Sequence, residues 1–423
     1  MPSIDLGLRA RRESFAAERT LWLLGLGTAL SLLGDTTLYV ALPTRTAQAG
    51  ILLADVGLML SANRAVRIFL NSPYGVLIER LPRRRVLVPS LCLGALVNLL
   101  YAVPGFWPLL VGRLLWGWAW AGIWLGGSTA VLDLAAHANR GRLVGRYQMW
   151  SFVGLGAGAL LGGVCVDWLG YRSAFVVFAL VTSLAALMWW AFLPETRQRR
   201  AARNSAPAAL PAPPTPRARA ALVTAMLVLG LNWLVFLGAL GAVLPLLLQQ
   251  RIGDAVALAG VAIPLTTLTG AVAAANQVLS LVASPVAGWL SDRRGNRWGL
   301  VILALVLGVA SLVMAAEGVG AVVIAGLLLS AVATGVLQTQ AITLAGDHSG
   351  DNRQGRVLGV LNAVGDLGSA AGPLLAFALL PFVDLRGVCL LAAALLAVVL
   401  PWVSWLAWRE VRLARAVRPV SLG

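Results

Sequence analysis

Residues 75–85 read GVLIERLPRRR, and residues 288–297 read GWLSDRRGNR. Gly75, Leu77, Glu79 and Arg80 of the first stretch return as Gly288, Leu290, Asp292 and Arg293 of the second, at an offset of 213. Each stretch closes an apolar run and opens a basic turn. A second match lies further along each copy. Residues 141–145 (GRLVG) return as residues 355–359 (GRVLG) at an offset of 214, and that offset also pairs Asp133 with Asp347, Gly154 with Gly368, Gly158 with Gly372, and Ala159 with Pro373. The chain is therefore one pattern written twice.

Around these repeats the sequence is dominated by apolar stretches long enough to cross a bilayer, which takes about 20 residues. They fall at 21–43, 52–78, 86–103, 109–132, 143–165, 173–193, 221–248, 261–290, 299–316, 320–345, 357–380 and 387–408, which makes twelve. Of the 423 residues, 59% are hydrophobic and 12% charged, where a soluble domain carries about 25% charged residues. Mean hydropathy is +0.83. This excludes a disordered chain, a collagen and a disulfide scaffold, and it argues against a soluble enzyme. Cys92, Cys165 and Cys389 all sit in apolar stretches, with neither a disulfide framework nor metal-ligand spacing. No HExxH or GxSxG motif occurs, and the lack of any lysine removes the phosphate-binding lysine of a nucleotide loop. Neither a metal nor another cofactor is expected.

The net charge of +16 is carried by arginine, and its placement alternates with the spans. Of the 33 arginines, 26 fall at the N-terminus, in alternate turns, in residues 197–219 or at the C-terminus; four (Arg45, Arg172, Arg251, Arg386) fall on the other side. Positive residues stay in the cytoplasm, so both termini are expected there. The charge is a topology signal, supplemented by anionic membrane lipid, and nucleic acid is not expected as a partner. Residues 194–220, rich in Pro, Ala and Arg, read as a linker. The expected organisation is a cytoplasmic N-terminal segment (1–20), a six-helix bundle (21–193), the linker (194–220), a second six-helix bundle (221–408) and a basic tail (409–423). The fold class is all-α and polytopic, with twelve transmembrane helices in two pseudo-repeat bundles. Parallel halves of this kind are a transporter architecture that opens a central site to either face in turn.

An ionisable group inside the membrane costs about 2.5–3.5 kcal/mol on insertion scales and so marks a functional candidate. Asp35 lies mid-span in the first apolar stretch and Arg113 in the outer third of the fourth. In the second stretch Asn63, Arg67 and Asn71 recur every four residues with Arg64 beside them, and in the eleventh Asn362, Asp366 and Ser369 form a similar stripe. Asp35 moving between an apolar site and a neighbouring guanidinium could bind and release a proton, with Arg113 as its modulator; alternatively it caps a broken stretch after Gly34. Trp116, Trp120 and Trp124 form an i, i+4, i+8 stripe that is either an aromatic wall for a substrate or packing. Asn276, Ser280, Thr334 and Gln338 either line a cavity or bond neighbouring helices. Gly154, Gly158 and Gly162, with Gly163, form a small-residue packing face that recurs as Gly368 and Gly372, followed by Pro373. Glu79–Arg80 and Asp292–Arg293 are read as conformational latches, against the alternative of a solvated turn.

Four of these motifs resemble those of the major facilitator superfamily. They are the turn at Gly75 to Arg85 with its copy at Gly288 to Arg297, Arg113 followed by Gly117, the glycine run from Gly154 to Gly163, and GDTTLYVALP at 34–43. Glu79 stands where that family usually has Asp, and Ala159 where it has Pro. The resemblance, which is nearest to drug–proton antiporters, implies a monomeric transporter of the bacterial inner membrane working by alternating access. It implies proton-coupled efflux of a small amphipathic compound, and that Arg64 or Arg67 faces Asp366. Uptake of a sugar or other metabolite, or lipid translocation, is the alternative on the same fold. A polytopic membrane enzyme and a transport-dead sensor are the readings from other classes.

Overall fold

A computed structural model describes residues 2–134, 140–196, 215–258, 261–294, 296–348 and 354–417. The side chains of Asn71 and Glu79 lie outside the described residues, as does most of the expected linker. The helices are α1 (Pro2–Ala41), α2 (Thr46–Ala49), α3 (Leu53–Arg80), α4 (Arg83–Tyr101), α5 (Phe106–Leu134), α6 (Arg140–Leu169), α7 (Tyr171–Phe192), α8 (Pro216–Asn232), α9 (Gly241–Ile252), α10 (Leu265–Arg294), α11 (Arg297–Glu317), α12 (Ala321–His348) and α13 (Gln354–Val417). A π-helical segment, Trp233–Leu240, joins α8 to α9 in one continuous rod.

Each of the twelve apolar stretches falls on helix over most of its length. Ten helical stretches among the described residues are long and apolar enough to cross a membrane. Two physical reasons separate ten from twelve. The stretch 359–409 contains two of the expected spans: α13 is interrupted at Asp384, whose φ of 54° breaks the helix, and the Gly387 amide donates to Asp384 Oδ1 at 2.8 Å, capping the part that follows. The other is α3, in which Asp55, Arg64 and Arg67 dilute the apolar character. The chain is a multi-pass membrane protein.

Two boundaries differ from expectation. Residues 261–264 pair as β2 (Val261–Pro264) with β1 (Ala255–Leu258), so the helix of the eighth span starts at Leu265. Helix α8 starts at Pro216, inside the stretch read as linker. Thr215 caps it by accepting from the Ala218 amide at 3.2 Å, and proline suits the first helical position because its missing N–H has no partner to lose.

The chain packs as two compact units, residues 1–206 with 256–274, and residues 207–255 with 275–423. In the first, the glycine stripe of α6 lies against the backbone of α1. A Cβ on Gly154 would stand 2.7 Å from Ala29 Cα, one on Gly158 2.9 Å from Leu33 Cα, and one on Gly162 2.9 Å from Thr37 Cα. Carbon atoms attract best at about 3.5–4.0 Å, so only glycine permits this approach at three successive turns. Gly163 faces the other way and would press on Thr267 Cα, 3.0 Å off, in the same unit. The second unit repeats the device, with Gly372 on α13 close to Gly238 of the π-helical segment and Gly368 close to Leu234. The first unit's core is apolar around Leu24, Leu87, Leu91, Ile123 and Trp189. The buried Trp189 donates from Nε1 to the Leu23 carbonyl at 2.6 Å.

Gly158→Leu is expected to destabilise the purified protein by about 1–3 kcal/mol, the usual range for overpacking, and so to lower its melting temperature. Gly145→Ala, at a position with open space around its Cα, is the control. Equal melting temperatures for both variants would contradict the close packing of α1 on α6.

Candidate functional site: a buried ion pair and an aromatic ladder

Arg113 on α5 and Asp35 on α1 form an ion pair within the first unit. The Arg113 side chain is 0% exposed and that of Asp35 11%. A guanidinium has five N–H donors and cannot be deprotonated in a protein. All five are used here. Nε donates to the Met59 carbonyl at 2.6 Å; Nη1 donates to Asp35 Oδ1 and to Tyr101 Oη at 3.3 Å; Nη2 donates to Tyr39 Oη at 3.1 Å and to the Leu60 carbonyl at 3.3 Å. Tyr39 in turn donates to the Leu60 carbonyl at 2.9 Å. The charge is thus held by α1, α3 and α4 together.

Local sequence makes this reach possible. Gly117, one turn from Arg113, admits the α3 backbone at Asn63, whose carbonyl oxygen would stand 2.5 Å from an added Cβ. Gly34 similarly leaves room for Asn98 on α4, which donates to Thr182 at 3.2 Å. A second guanidinium joins the cluster. Arg64 lies with its Cζ 5.1 Å from the centroid of the Tyr39 ring, and Arg113 lies 5.3 Å from the same centroid. Tyr39 and Tyr101 were not singled out in the sequence; Tyr39 sits one helical turn after Asp35, which was the available signal.

Below Arg113 on the same helix the tryptophan stripe is a stacked ladder. Trp116 and Trp120 have ring centroids 6.0 Å apart at 28°, Trp120 and Trp124 5.8 Å at 18°, and Trp124 and Tyr147 of α6 5.8 Å at 24°. Tyr147 Oη shares a hydrogen bond of 3.0 Å with Thr28 Oγ1. Trp116 is buried, whereas Trp120 and Trp124 are partly exposed.

The basic turns also carry a repeated constellation. Arg83 opens α4 and donates from Nε to Asp133 Oδ2 of α5 at 2.9 Å. The amides of Arg83 and Arg84, unpaired at a helix start, donate to the two oxygens of Glu195 at 2.9 and 3.2 Å. In the second unit Arg297 opens α11 and pairs with Asp347 of α12 at 2.8 Å, and with Asp292 at 3.5 Å. Arg83 and Arg297 are 214 apart, as are Asp133 and Asp347. Asp292 is partnered by Arg297, while Arg293 lies over the Trp289 ring at 5.2 Å. Adjacent residues on a helix do not face each other. Arg80 is exposed at the end of α3, and Gly75 has open space around it.

At the other end of the first unit Asp167, 1% exposed, pairs with Arg45 at 2.8 Å and accepts from the amide and hydroxyl of Thr267 at 2.7 and 2.8 Å. It lies in the last turn of α6, beyond the apolar run 143–165, where no periodicity marks it.

The remaining candidates lie at different depths. Asn63 is buried, and its Oδ1 has no partner among the described residues; the same holds for Oδ1 of the half-buried Asn276. Arg64, Arg67, Gln338 and Asp366 are half-buried and Asn362 is exposed. Ser280 is engaged in bonding helices, donating to the Ala331 carbonyl at 2.8 Å.

The sequence matches the model of the Major Facilitator Superfamily over residues 24–275 and 266–422. It is 28% identical over 346 residues to the multidrug resistance protein MdtG of Dickeya zeae, covering 80% of this chain and 81% of that one. It is 30% identical to a probable sugar efflux transporter of Helicobacter pylori over 149 residues, 35% of this chain and only 38% of that protein's length. Its fold is similar to that of a bacterial homologue of the human lysosomal transporter Spinster, solved inward-facing and occupied, with a TM-score of 0.77 and 16% identity over 93% of this chain and 97% of that one.

Arg83→Glu and Asp133→Arg are each expected to lower the melting temperature, and the double exchange to restore part of the loss. The coupling should be about 1–3 kcal/mol, within the range for residues sharing a network. Additive losses in a double-mutant cycle would show that the pair is not an energetic unit.

Proposed function

Since the chain belongs to the Major Facilitator Superfamily and is a membrane transporter, we propose that it exports small amphipathic compounds in exchange for protons across a bacterial inner membrane, with both termini cytoplasmic. The observation that carries this reading is the Asp35–Arg113 pair. A carboxylate beside a guanidinium favours its ionised form, and a carboxyl parted from it in an apolar site favours its neutral form. A group that passes between those surroundings takes up a proton in one and releases it in the other. Asp35 supplies the carboxylate of the pair and is the less enclosed of the two.

Protonation would leave Arg113 with its bonds to Met59, Leu60, Tyr39 and Tyr101. Such a site changes charge without exposing an unsatisfied guanidinium. The paired turns at Arg83–Asp133 and Arg297–Asp347 suit elements that hold one arrangement of helix ends and release it in another. The efflux direction is supported by the likeness to MdtG over most of both chains. The orientation is supported by the 26 arginines placed on one side against four on the other.

In proteoliposomes with an imposed pH gradient, wild-type protein should move protons when a transported compound is found among a panel of drugs and sugars. Asp35→Asn, which keeps the size and hydrogen-bonding capacity of the side chain, should remain folded and lose that proton movement. Undiminished substrate-dependent proton flux in this variant would defeat the assignment.

A further inference from the structure

We propose that the pocket where the ends of α8, α11 and α13 meet binds the phosphate of an anionic phospholipid, held by the guanidinium of Arg409 and the indole N–H of Trp298. The site lies within the second unit and serves neither the cargo nor the proton.

The pocket is lined by Arg217, Ala220 and Ala221 of α8, Trp298 of α11, and Leu406 and Arg409 of α13. Its depth in the bilayer is the first observation. Arg217 is the second residue of the apolar span Pro216–Ile252, Trp298 the second of Arg297–Glu317, and Arg409 the last of Gly359–Arg409. Three span ends thus converge at head-group level, where tryptophan is enriched and arginine meets water. Ala221 and Leu406 are buried and give the pocket an apolar floor. Donors at the rim and hydrocarbon beneath match a phospholipid, with its phosphate outermost and its chains below.

The second observation is a set of unspent donors. The exposed Arg409 makes no hydrogen bond or ion pair among the described residues; it lies over the Trp405 ring, 5.5 Å from the centroid. Stacking occupies the flat face of a guanidinium and leaves its in-plane fork of N–H groups for an oxyanion. The N–H of the half-buried Trp298 likewise has no acceptor among the described residues. Phosphate oxygens accept from both.

The third is charge. Residues 216–223 and 405–418 carry six arginines and one acid, Glu410. One carboxylate neutralises at most one of the six, whichever it meets. Asp292 and Asp347, at the start of α11, are matched by Arg297. The neighbourhood stays positive, so it favours a head group of net negative charge over a zwitterionic one, whose ammonium it repels. Basic pockets between membrane helices suit such head groups.

The test measures binding to the whole purified chain in a neutral detergent by calorimetry, using three probes. These are dioctanoyl phosphatidylglycerol, dioctanoyl phosphatidylcholine, and glycerol 1-phosphate, which has the phosphate without the chains. The phosphatidylglycerol should bind about tenfold more tightly than either of the others. Arg409→Gln should weaken it roughly fivefold and leave the phosphatidylcholine unchanged. Trp298→Phe, which keeps a ring and removes the N–H, should weaken it about threefold, the worth of one hydrogen bond. Arg412→Gln is the control for diffuse attraction. Arg412 lies over the Trp408 ring at 3.7 Å, outside the pocket, and its loss should change affinity far less than that of Arg409. An unchanged melting temperature without lipid checks that each variant folds. Equal affinity for the two lipids, glycerol 1-phosphate binding as tightly as phosphatidylglycerol, or equal losses in Arg409→Gln and Arg412→Gln would overturn the proposal.

Discussion

A guanidinium sealed from water inside a lipid-embedded bundle must find protein partners for every N–H it has, because hydrocarbon offers none. Arg113 meets that demand in full, and much of the first unit is arranged around it. Its five bonds reach α1, α3 and α4 from α5. Two of them end on backbone carbonyls, which can be reached only if α3 comes close. Gly117 supplies the room, as Gly34 does for α4. The arginine and these glycines are one structural decision: the charge sets the distance between helices, and the missing side chains allow it.

The same logic governs the helix ends, with a different solvent. At a helix start the first amides lack partners, and Glu195 supplies both of its oxygens to the start of α4. Arg83 then ties that start to Asp133, fifty residues further on, and Arg297 does so for Asp347 in the second copy. Arginines that mark the sidedness of the chain thus also fasten the ends of the spans. This dual use explains why Arg83 and Asp133 keep the repeat's spacing although the residues around them differ.

What could be read from the sequence follows from what is periodic. Lipid demands about twenty apolar residues per crossing, and that demand is plain in most of the expected stretches, though weakened in α3 by Asp55, Arg64 and Arg67. It is blind to 261–264, since an apolar tetrapeptide reads alike as strand or helix. The glycine stripe was legible because four-residue spacing maps onto one helix face, and it does contact α1 there. Asp35 and Arg113 were legible as isolated charges in apolar surroundings. Their tyrosine partners were not, because Tyr39 and Tyr101 resemble any interfacial aromatic until the guanidinium is placed. Pairings between distant segments leave no period. Asp133 and Asp347 could be seen as counterparts, but nothing in the chain pointed them at Arg83 and Arg297. Tyr147, the fourth rung of the ladder, comes from α6 and lay outside the stripe for the same reason.

The buried pair also contains an asymmetry that decides which helix a proton would affect. Arg113 keeps its charge at any accessible pH, so its bonds to the Met59 and Leu60 carbonyls of α3 and to Tyr101 of α4 do not depend on Asp35. Helix α1 is attached to Arg113 by two bonds, one to the Asp35 carboxylate, in which both partners are ionised, and one to the Tyr39 hydroxyl, in which only the guanidinium is. The pair in which both partners are ionised is the stronger of the two. Neutralising Asp35 weakens the stronger tie and leaves the other, so α1 is loosened from α3–α5 without being released. Its contact with α6 is made along the glycine stripe by backbone packing that carries no charge and, nearer the start of both helices, by an ion pair between Glu18 and Arg146; neither involves Asp35. On the proposed coupling, a proton at Asp35 would act on one seam of the unit, the one between α1 and the helices that hold Arg113.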